Sequence, residues 1–316
     1  AQRRRNTVTI KLASVVPENT PWGLALNRMA AEWAAATNGE VILQVYHNGT
    51  AGSEPDVLRK LRLNQIQAGV FSTIGLNAIT PEIITLSVPF LIRNDGELEA
   101  VLSSLKADLE IKIDEKGFFT LAWARAGWVK IFSRTPVFVP GDLKKQTVGT
   151  EPGEEKLMQA FKVMGYKMEA VVLNDNLIAL NSGKIDAVYQ SPIAVGGYQL
   201  FGIAKNMTAM NIAPFMGGII MNRAAWRSIP DQYKPRLLEI SKRIEKEIDS
   251  SILQLENEAI ETMKKYGLTV HQVSPRQEQE WYEDAARAMP SLLGTTFDRE
   301  IYGKINAILT SYRNGR

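Results

Sequence analysis

The sequence predicts an α/β protein of two lobes, and three observations predict it. The chain has 316 residues, more than one hydrophobic core usually serves, and its 45% hydrophobic content is ordinary for a water-soluble protein. A β-α-β order, the signature of a parallel sheet, appears in the first half and again in the second. Two distant segments also echo each other: Leu63-Asn64-Gln65-Ile66-Gln67-Ala68-Gly69-Val70 and Leu180-Asn181-Ser182-Gly183-Lys184-Ile185-Asp186-Ala187-Val188. Each reads as a helix, a tight turn and a short strand, at 66–72 and 185–190. Similar lobes would bring the strand ends Phe71-Ser72-Thr73 and Tyr189-Gln190-Ser191 to face one another across a cleft. Open α/β sheets bind ligands at the carboxyl ends of their strands, so the expected device is a clamp around a small molecule.

The elements follow in order. Residues 8–13 alternate as a strand and stop at Pro17-Glu18-Asn19-Thr20-Pro21, from which a helix runs over 22–36 with Leu24, Leu26, Met29, Ala30 and Trp33 as its buried face. Thr37-Asn38-Gly39 ends it, and 41–46 is a second strand before Asn48-Gly49. A helix over 55–64 feeds the first echo strand, and 80–92 is an apolar loop or short helix. A helix over 96–116 and a strand over 118–123 lead to 127–132, which is expected to cross into the second lobe. There the signals give a turn at 139–143, a strand at 147–148, a helix over 154–164, an extended stretch at 171–173, a helix over 175–181 and the second echo strand. A helical pattern covers 231–266, with Ile240, Ile244, Ile248, Ile252, Leu255, Ala259 and Met263 on one stripe and Pro235 in its first turn. At 1.5 Å per residue it would reach about 54 Å, enough to brace both lobes; a coiled-coil partner helix is the rival reading. The expected division is 1–126 with 214–250 as one lobe and 127–213 with 251–316 as the other.

No segment approaches the roughly eighteen uninterrupted apolar residues of a spanning helix. The net charge of +3 equals the contribution of Arg3, Arg4 and Arg5, read as a flexible tail, so the body offers no basic footprint for nucleic acid. Cysteine is absent, which removes disulfides, thiol nucleophiles and cysteine metal sites. The histidines, His47 and His271, lack the spacing of zinc ligands and are expected on loops or the surface. Nucleophile elbows, dinucleotide-binding turns and phosphate loops are all missing, so neither catalysis nor a cofactor is expected.

Several segments carry a family resemblance: Ile10-Lys11-Leu12-Ala13 with Pro17-Glu18, Thr37-Asn38-Gly39-Glu40-Val41, Tyr46-His47-Asn48-Gly49 with Gly52 and Glu54, Pro89-Phe90-Leu91, Pro140-Gly141-Asp142-Leu143-Lys144, and Ala179–Asp186. In this order they resemble the periplasmic solute-binding subunits of TRAP (tripartite ATP-independent periplasmic) transporters, the DctP-like family. The resemblance implies two α/β lobes joined by crossing strands and a bracing helix, closure on a ligand, and delivery to a membrane permease. It implies a periplasmic location, with a lipid tether if a cysteine precedes the numbered chain.

The sequence departs from that family in its ligand chemistry. The arginine that most members place after the Pro-x-Asp-Leu-Lys turn to clamp a substrate carboxylate falls at Gly149, and a second common arginine falls at Val129. Lys130 and Arg134 are the neighbouring cations that a one-residue slip would substitute. The polar residue expected after the Asp186 strand is Gln190, and the ring-stacking position falls at Leu173. A carboxylate buried without a cation is costly. Burial of apolar groups, at about 0.8 kcal/mol per methylene, can replace the lost contact. Ser72 lies at a strand end. Trp22, Phe71, Phe90, Trp123 and Trp128 are expected near strand ends or crossings, as are Tyr189, Met210, Phe215 and Met216. A hydrophobic or amphipathic solute is therefore expected. The missing arginine also resembles the subgroup that works with a tetratricopeptide-repeat (TPR) partner protein. The competing readings are a sensory or assembly module with a vestigial cleft, acting through a protein partner, and an enzyme.

Overall fold

The computed structural model describes residues 7–315; Arg3, Arg4 and Arg5 lie outside the described residues. The chain runs β1 (Val8–Ala13), α1 (Pro21–Ala36), β2 (Val41–Tyr46), α2 (Glu54–Arg62), β3 (Ala68–Ser72), α3 (Thr73–Ile79) and a 3-10 turn at Pro81–Ser87. Then come α4 (Asp95–Glu115), β4 (Phe118–Ser133), α5 (Pro140–Leu143), β5 (Thr147–Thr150), α6 (Glu155–Val163), β6 (Lys167–Ala170), a 3-10 turn at Leu173–Asp175, α7 (Asn176–Ser182), β7 (Ala187–Gln190) and α8 (Pro192–Gly197). After a further 3-10 turn follow β8 (Asn206–Thr208), β9 (Ala213–Asn222), α9 (Arg223–Ser228), α10 (Lys234–Lys265), β10 (Thr269–His271), α11 (Pro275–Leu292) and α12 (Arg299–Asn314).

Two compact units form: Ala1–Pro81 with Lys106–Arg125 and Met216–Ile252, and Glu82–Leu105 with Ala126–Phe215 and Leu253–Arg316. The segment Glu82–Leu105, expected with the first lobe, groups with the second unit. Hydrogen bonds hold it there: Thr85 Oγ1 accepts from the Asp298 amide at 3.0 Å, and the Arg93 carbonyl accepts from Asn211 Nδ2 at 3.0 Å.

In the first unit the sheet order is β2-β1-β3-β9-β4, with β1, β2 and β3 parallel and β9 antiparallel to β3. Thr20 caps α1 through the Gly23 amide at 3.2 Å, with Pro21 where its missing N–H costs nothing. Ser53 and Asp56 form a capping box on α2. The core gathers Ile10, Leu12, Leu26, Met29, Trp33 and Ile240. The indole N–H of Trp33 meets Ser241 Oγ at 3.3 Å, which satisfies a polar atom that burial would otherwise strand.

In the second unit β5, β6 and β7 are parallel, β4 is antiparallel to β7 and to β8, and β8 pairs with β10. The first β-α-β strand partner is Lys167–Ala170, not the 171–173 stretch, which turns into a short 3-10 segment instead. Phe132, Leu180, Ile185, Val188 and Met263 anchor this core. Pro235 sits in the first turn of α10, and Ile240, Ile244, Ile252 and Met263 of its apolar stripe are buried within the chain. That disposes of the need for a coiled-coil partner. Both histidines are more enclosed than expected: His47 is buried with Nε2 2.8 Å from Asn27 Oδ1, and His271 ends β10 with Nε2 2.8 Å from Asn206 Oδ1.

Candidate functional site

In the first unit, the carboxyl end of β3 is organised around Glu54. Its carboxylate accepts from the Ser72 amide at 3.0 Å, Ser72 Oγ at 3.1 Å and the Gly75 amide at 2.9 Å. Burial nevertheless pushes the Glu54 carboxyl above the usual carboxylate range. A Cβ at position 75 would lie 2.6 Å from Glu54 Oε2, so the approach requires glycine. Ser72 also caps α3 through the Ile74 amide. Phe71 and Met216 are packed inside the unit, and Trp123 is buried with its indole N–H on Glu110 Oε1 at 2.8 Å. Trp22 and Ser72 remain half-buried. Leu24, expected on the buried face of α1, is instead 58% exposed, and Val15, just beyond the end of β1, is 40% exposed.

In the second unit, the strand register decides which cation stands at the carboxyl end of the parallel strands, where the cleft is expected. Lys130 pairs with Gln190 at the carboxyl end of β7, whereas Ser133 pairs with Ala187 at its amino end. Arg134, next in line, gives its guanidinium to the Leu180 carbonyl and so caps α7 at the far end. Lys130 donates to Asn211 Oδ1 at 2.7 Å, and burial holds its pKa below the usual lysine value against the charges of Glu256 and Asp95. Glu256 is 4% exposed and accepts from the Trp128 amide at 2.7 Å. Burial above all pushes its carboxyl up to about 7. Trp128 is itself buried, with its indole N–H on Asp95 Oδ1 at 3.2 Å.

The position expected to carry the clamp is tightly surrounded. Gly149 is buried within β5, and a Cβ there would lie 2.7 Å from Ile185 Cδ1 and 3.2 Å from Asn176 Oδ1. Val129, the second arginine position, is buried too, and its carbonyl accepts from the Ile212 amide at 3.0 Å. Beside Gly149 stands a group absent from the sequence expectations: Thr150, Glu151, Glu154 and Asn176. Thr150 Oγ1 donates to Glu154 Oε2 at 2.8 Å, the Leu173 amide donates to the Glu151 carboxylate, and burial together with the Glu154 charge pushes Glu151 up to about 7. Tyr189 is 6% exposed, its ring is 5.2 Å from that of Phe161, and burial and Glu154 raise its pKa. The only sequence signal for this group was the glutamate pair ahead of a helix, a pattern ordinarily explained by capping.

The remaining candidates scatter. Gln190 and Leu173 are half-buried, as is Phe215, while Met210 is buried. Phe90 adopts φ +61°, a costly conformation for an aromatic residue, and packs against Trp281 and Tyr282 at ring distances of 5.5 and 6.1 Å. Its carbonyl accepts from Arg93 Nε at 3.2 Å, and it borders a hollow of about 140 Å³ shared with Arg93, Tyr282 and Arg313. A larger hollow of about 510 Å³, between Glu155 and Thr296, holds none of the expected residues.

The sequence profile of the DctP family, bacterial extracellular solute-binding protein family 7, matches residues 12–293. The chain belongs to this family. Its curated DctP-type relatives include a solute-binding protein of Verminephrobacter eiseniae, 24% identical, with 83% of this chain and 78% of the relative aligned. Another is the C4-dicarboxylate-binding protein DctB of Bacillus subtilis, 21% identical over 88% of this chain and 80% of the relative. Among solved structures, a TRAP periplasmic solute-binding protein of Roseobacter denitrificans with bound β-D-glucuronate superposes with TM-score 0.85 at 20% identity, covering 95% of this chain and 99% of that one. A second, from Sulfurospirillum deleyianum with bound succinate, gives TM-score 0.82 at 23% identity, covering 95% and 98%. The fold is thus that of TRAP solute-binding proteins, and the DctP family is one of extracellular receptors rather than enzymes. Among the described residues no helix is long and apolar enough to cross a membrane.

Proposed function

We propose that this receptor serves a TRAP-type permease in the periplasm and captures an organic solute with an apolar body rather than a small dicarboxylate or sugar acid. The observation that carries the reading is the filled space at Gly149. An arginine there would first have to displace the buried Ile185, whose Cδ1 would lie 2.7 Å from the new Cβ. Relatives and neighbours named for C4-dicarboxylates, glucuronate and succinate favour an acidic cargo by kinship. The residues at the clamp position argue against carrying that chemistry over. Exposed apolar side chains support the alternative: Val172 and Ile178, 45% and 68% exposed, flank Leu173 and the start of α7 in one unit, and Val15 and Leu24 flank Trp22 in the other.

The test is thermal unfolding of the full chain against a ligand panel, followed by native mass spectrometry of whatever copurifies. A true ligand at a hundred times its dissociation constant adds about 2.7 kcal/mol of stability. Aromatic or aliphatic amphiphiles are expected to raise the melting temperature, and succinate and glucuronate to leave it unchanged. A shift with succinate or glucuronate alone would overturn the apolar reading.

A further inference from the structure

We infer that the hollow beside Phe90, in the second unit, is a separate site for a small organic monocarboxylate, with Arg93 as its cation. The inference is independent of the cargo proposed above, and the residues lining the hollow do not include those around Gly149.

The hollow of about 140 Å³ lies between the turn at 88–93, α11 and α12. It is several times the roughly 30 Å³ that a water molecule takes up in the liquid, room for an acid of a few carbons. Arg93, Arg313, Tyr302 and Asn306 bring it donors, and Leu91, Ala285 and Met289 give it an apolar wall. The two guanidinium groups are not alike. Arg313 is committed: Nε and Nη2 each donate to the Glu97 carboxylate at 2.8 Å, and Nη2 also donates to the Leu91 carbonyl at 2.9 Å. Glu97 is 4% exposed and accepts the Arg93 amide as well, at 2.9 Å, so its oxygens are fully used.

Arg93 is held in place but not neutralised. Its Nε donates to the Phe90 carbonyl at 3.2 Å, and its guanidinium carbon lies 3.6 Å from the centre of the Tyr282 ring. Those contacts fix the plane of the fork and leave both Nη groups without a protein acceptor among the described residues. Glu97 and Glu278 reach the guanidinium through their charge alone. Burial, and after it the charge of Arg313, outweighs them and holds the Arg93 pKa below the usual arginine value. An arginine stays charged under such pressure, so the hollow contains a cation short of an anion. Tyr302 and Asn306, one turn apart on α12, add a hydroxyl and an amide that have no hydrogen-bond partner among the described residues. The backbone that presents Arg93 is strained at Phe90, with φ +61°, and fixed by the Phe90 amide on the Ile212 carbonyl at 2.7 Å. Strain of this kind concentrates at ligand sites.

The same features choose the ligand. A planar fork with two open N–H edges matches the two oxygens of a carboxylate. One uncommitted cation balances one such group, and the apolar wall takes the carbon end. A second carboxylate, as in succinate, would be pressed against that wall without a cation, and a doubly charged phosphate meets the same shortage.

The experiment titrates butyrate, its neutral isostere butyramide, succinate and inorganic phosphate calorimetrically into the full chain. Butyrate is expected to bind at least tenfold more tightly than each of the others. Arg93→Gln is expected to weaken butyrate about 10- to 100-fold, the scale of a lost charge-assisted hydrogen bond. Tyr302→Phe, which deletes a hydroxyl that holds no protein partner, is expected to keep the parent urea midpoint and to weaken butyrate severalfold, so the test stands even if Arg93→Gln fails to fold. No heat with butyrate, butyramide binding as tightly, or butyrate affinity unchanged in the folded variants overturns the site. Phosphate binding more tightly than butyrate overturns the carboxylate assignment. Succinate binding that is lost in Arg93→Gln counts against this assignment, whereas succinate binding retained in that variant counts against the apolar-bodied cargo.

Discussion

Replacing Gly149 by alanine tests the claim that the clamp position has no room for a side chain. The added Cβ would sit 2.7 Å from Ile185 Cδ1 and 3.2 Å from Asn176 Oδ1, against the 3.5–4.0 Å at which carbon atoms rest. Ile185 is fully buried, so its methyl cannot swing into solvent. Overpacking of this kind costs about 1–3 kcal/mol. Alanine recovers part of that, because glycine in a strand gives up about 0.5–1 kcal/mol of chain entropy relative to it. The net expectation is a loss of about 1–2 kcal/mol, read as a fall in urea midpoint at constant m-value. The decisive measurement is the double mutant with Ile185→Val. Valine deletes the Cδ1 that the new methyl strikes, at a cost by itself of about 0.5–1.5 kcal/mol. If the contact is what hurts, Gly149→Ala costs almost nothing in the valine background, a coupling of about 1 kcal/mol or more. Strictly additive losses, or a Gly149→Ala chain as stable as the parent, would refute the reasoning and reopen the position to a family-type arginine.

Two further predictions rest on the neighbouring crossing strand. Gly127 has φ +89°, and a Cβ there would lie 2.3 Å from Glu256 Oε1, so Gly127→Ala must displace the carboxylate from the Trp128 amide. Adding the strained backbone to the lost charged hydrogen bond gives about 3–5 kcal/mol, checked by thermal unfolding, where a loss under 1 kcal/mol would contradict the geometry. Glu256 itself gives a pH signature. Its folded pKa of about 7 exceeds the ordinary 4.5, so the folded state holds the extra proton between those values. The contribution is fully present below pH 4.5 and is lost as pH rises towards 7, by roughly 3 kcal/mol at most. Glu256→Gln keeps an acceptor for Trp128 and is expected to flatten the stability profile over that window; an unchanged slope would assign it to other groups.

How much of this was legible in the sequence depended on which kind of signal each part used. The strands at Val8–Ala13, Val41–Tyr46 and Ala187–Gln190 and the helices between them announced themselves through alternation, apolar spacing and glycine or proline punctuation. Those cues are local. The long helix was visible because its isoleucines recur every four residues, and its observed start at Lys234 differs from the pattern only where Pro230 and Asp231 turn the chain. The grouping of Glu82–Leu105 with the second unit was not legible, since it is fixed by partners more than a hundred residues away: Asn211, Asp298 and Arg313. The site divided in the same way. Gly149 could be found by counting from Asp142, whereas Glu151 and Glu154 belong to no motif that sets them apart from the many other acidic residues. Only the register of β5 against β7 shows Glu154, through Thr150, beside a buried phenol.

If position 149 is where the family arginine would stand, a glycine there has two consequences. Removing a cation takes away the attraction that a carboxylate ligand would need, but an empty site alone does not make a receptor selective, because discrimination is a difference between two affinities. Glu154 bears on the second term, since its charge, together with burial, already raises the Glu151 carboxyl to about 7, and an anion at the end of β5 would meet that same charge. Lys130 does not relieve this, since it stands opposite Gln190, is committed to Asn211 and faces the charges of Glu256 and Asp95. On the proposed reading, a scaffold that superposes on neighbours with bound glucuronate and succinate has lost the attraction for such acids at one strand end without altering an element of the fold.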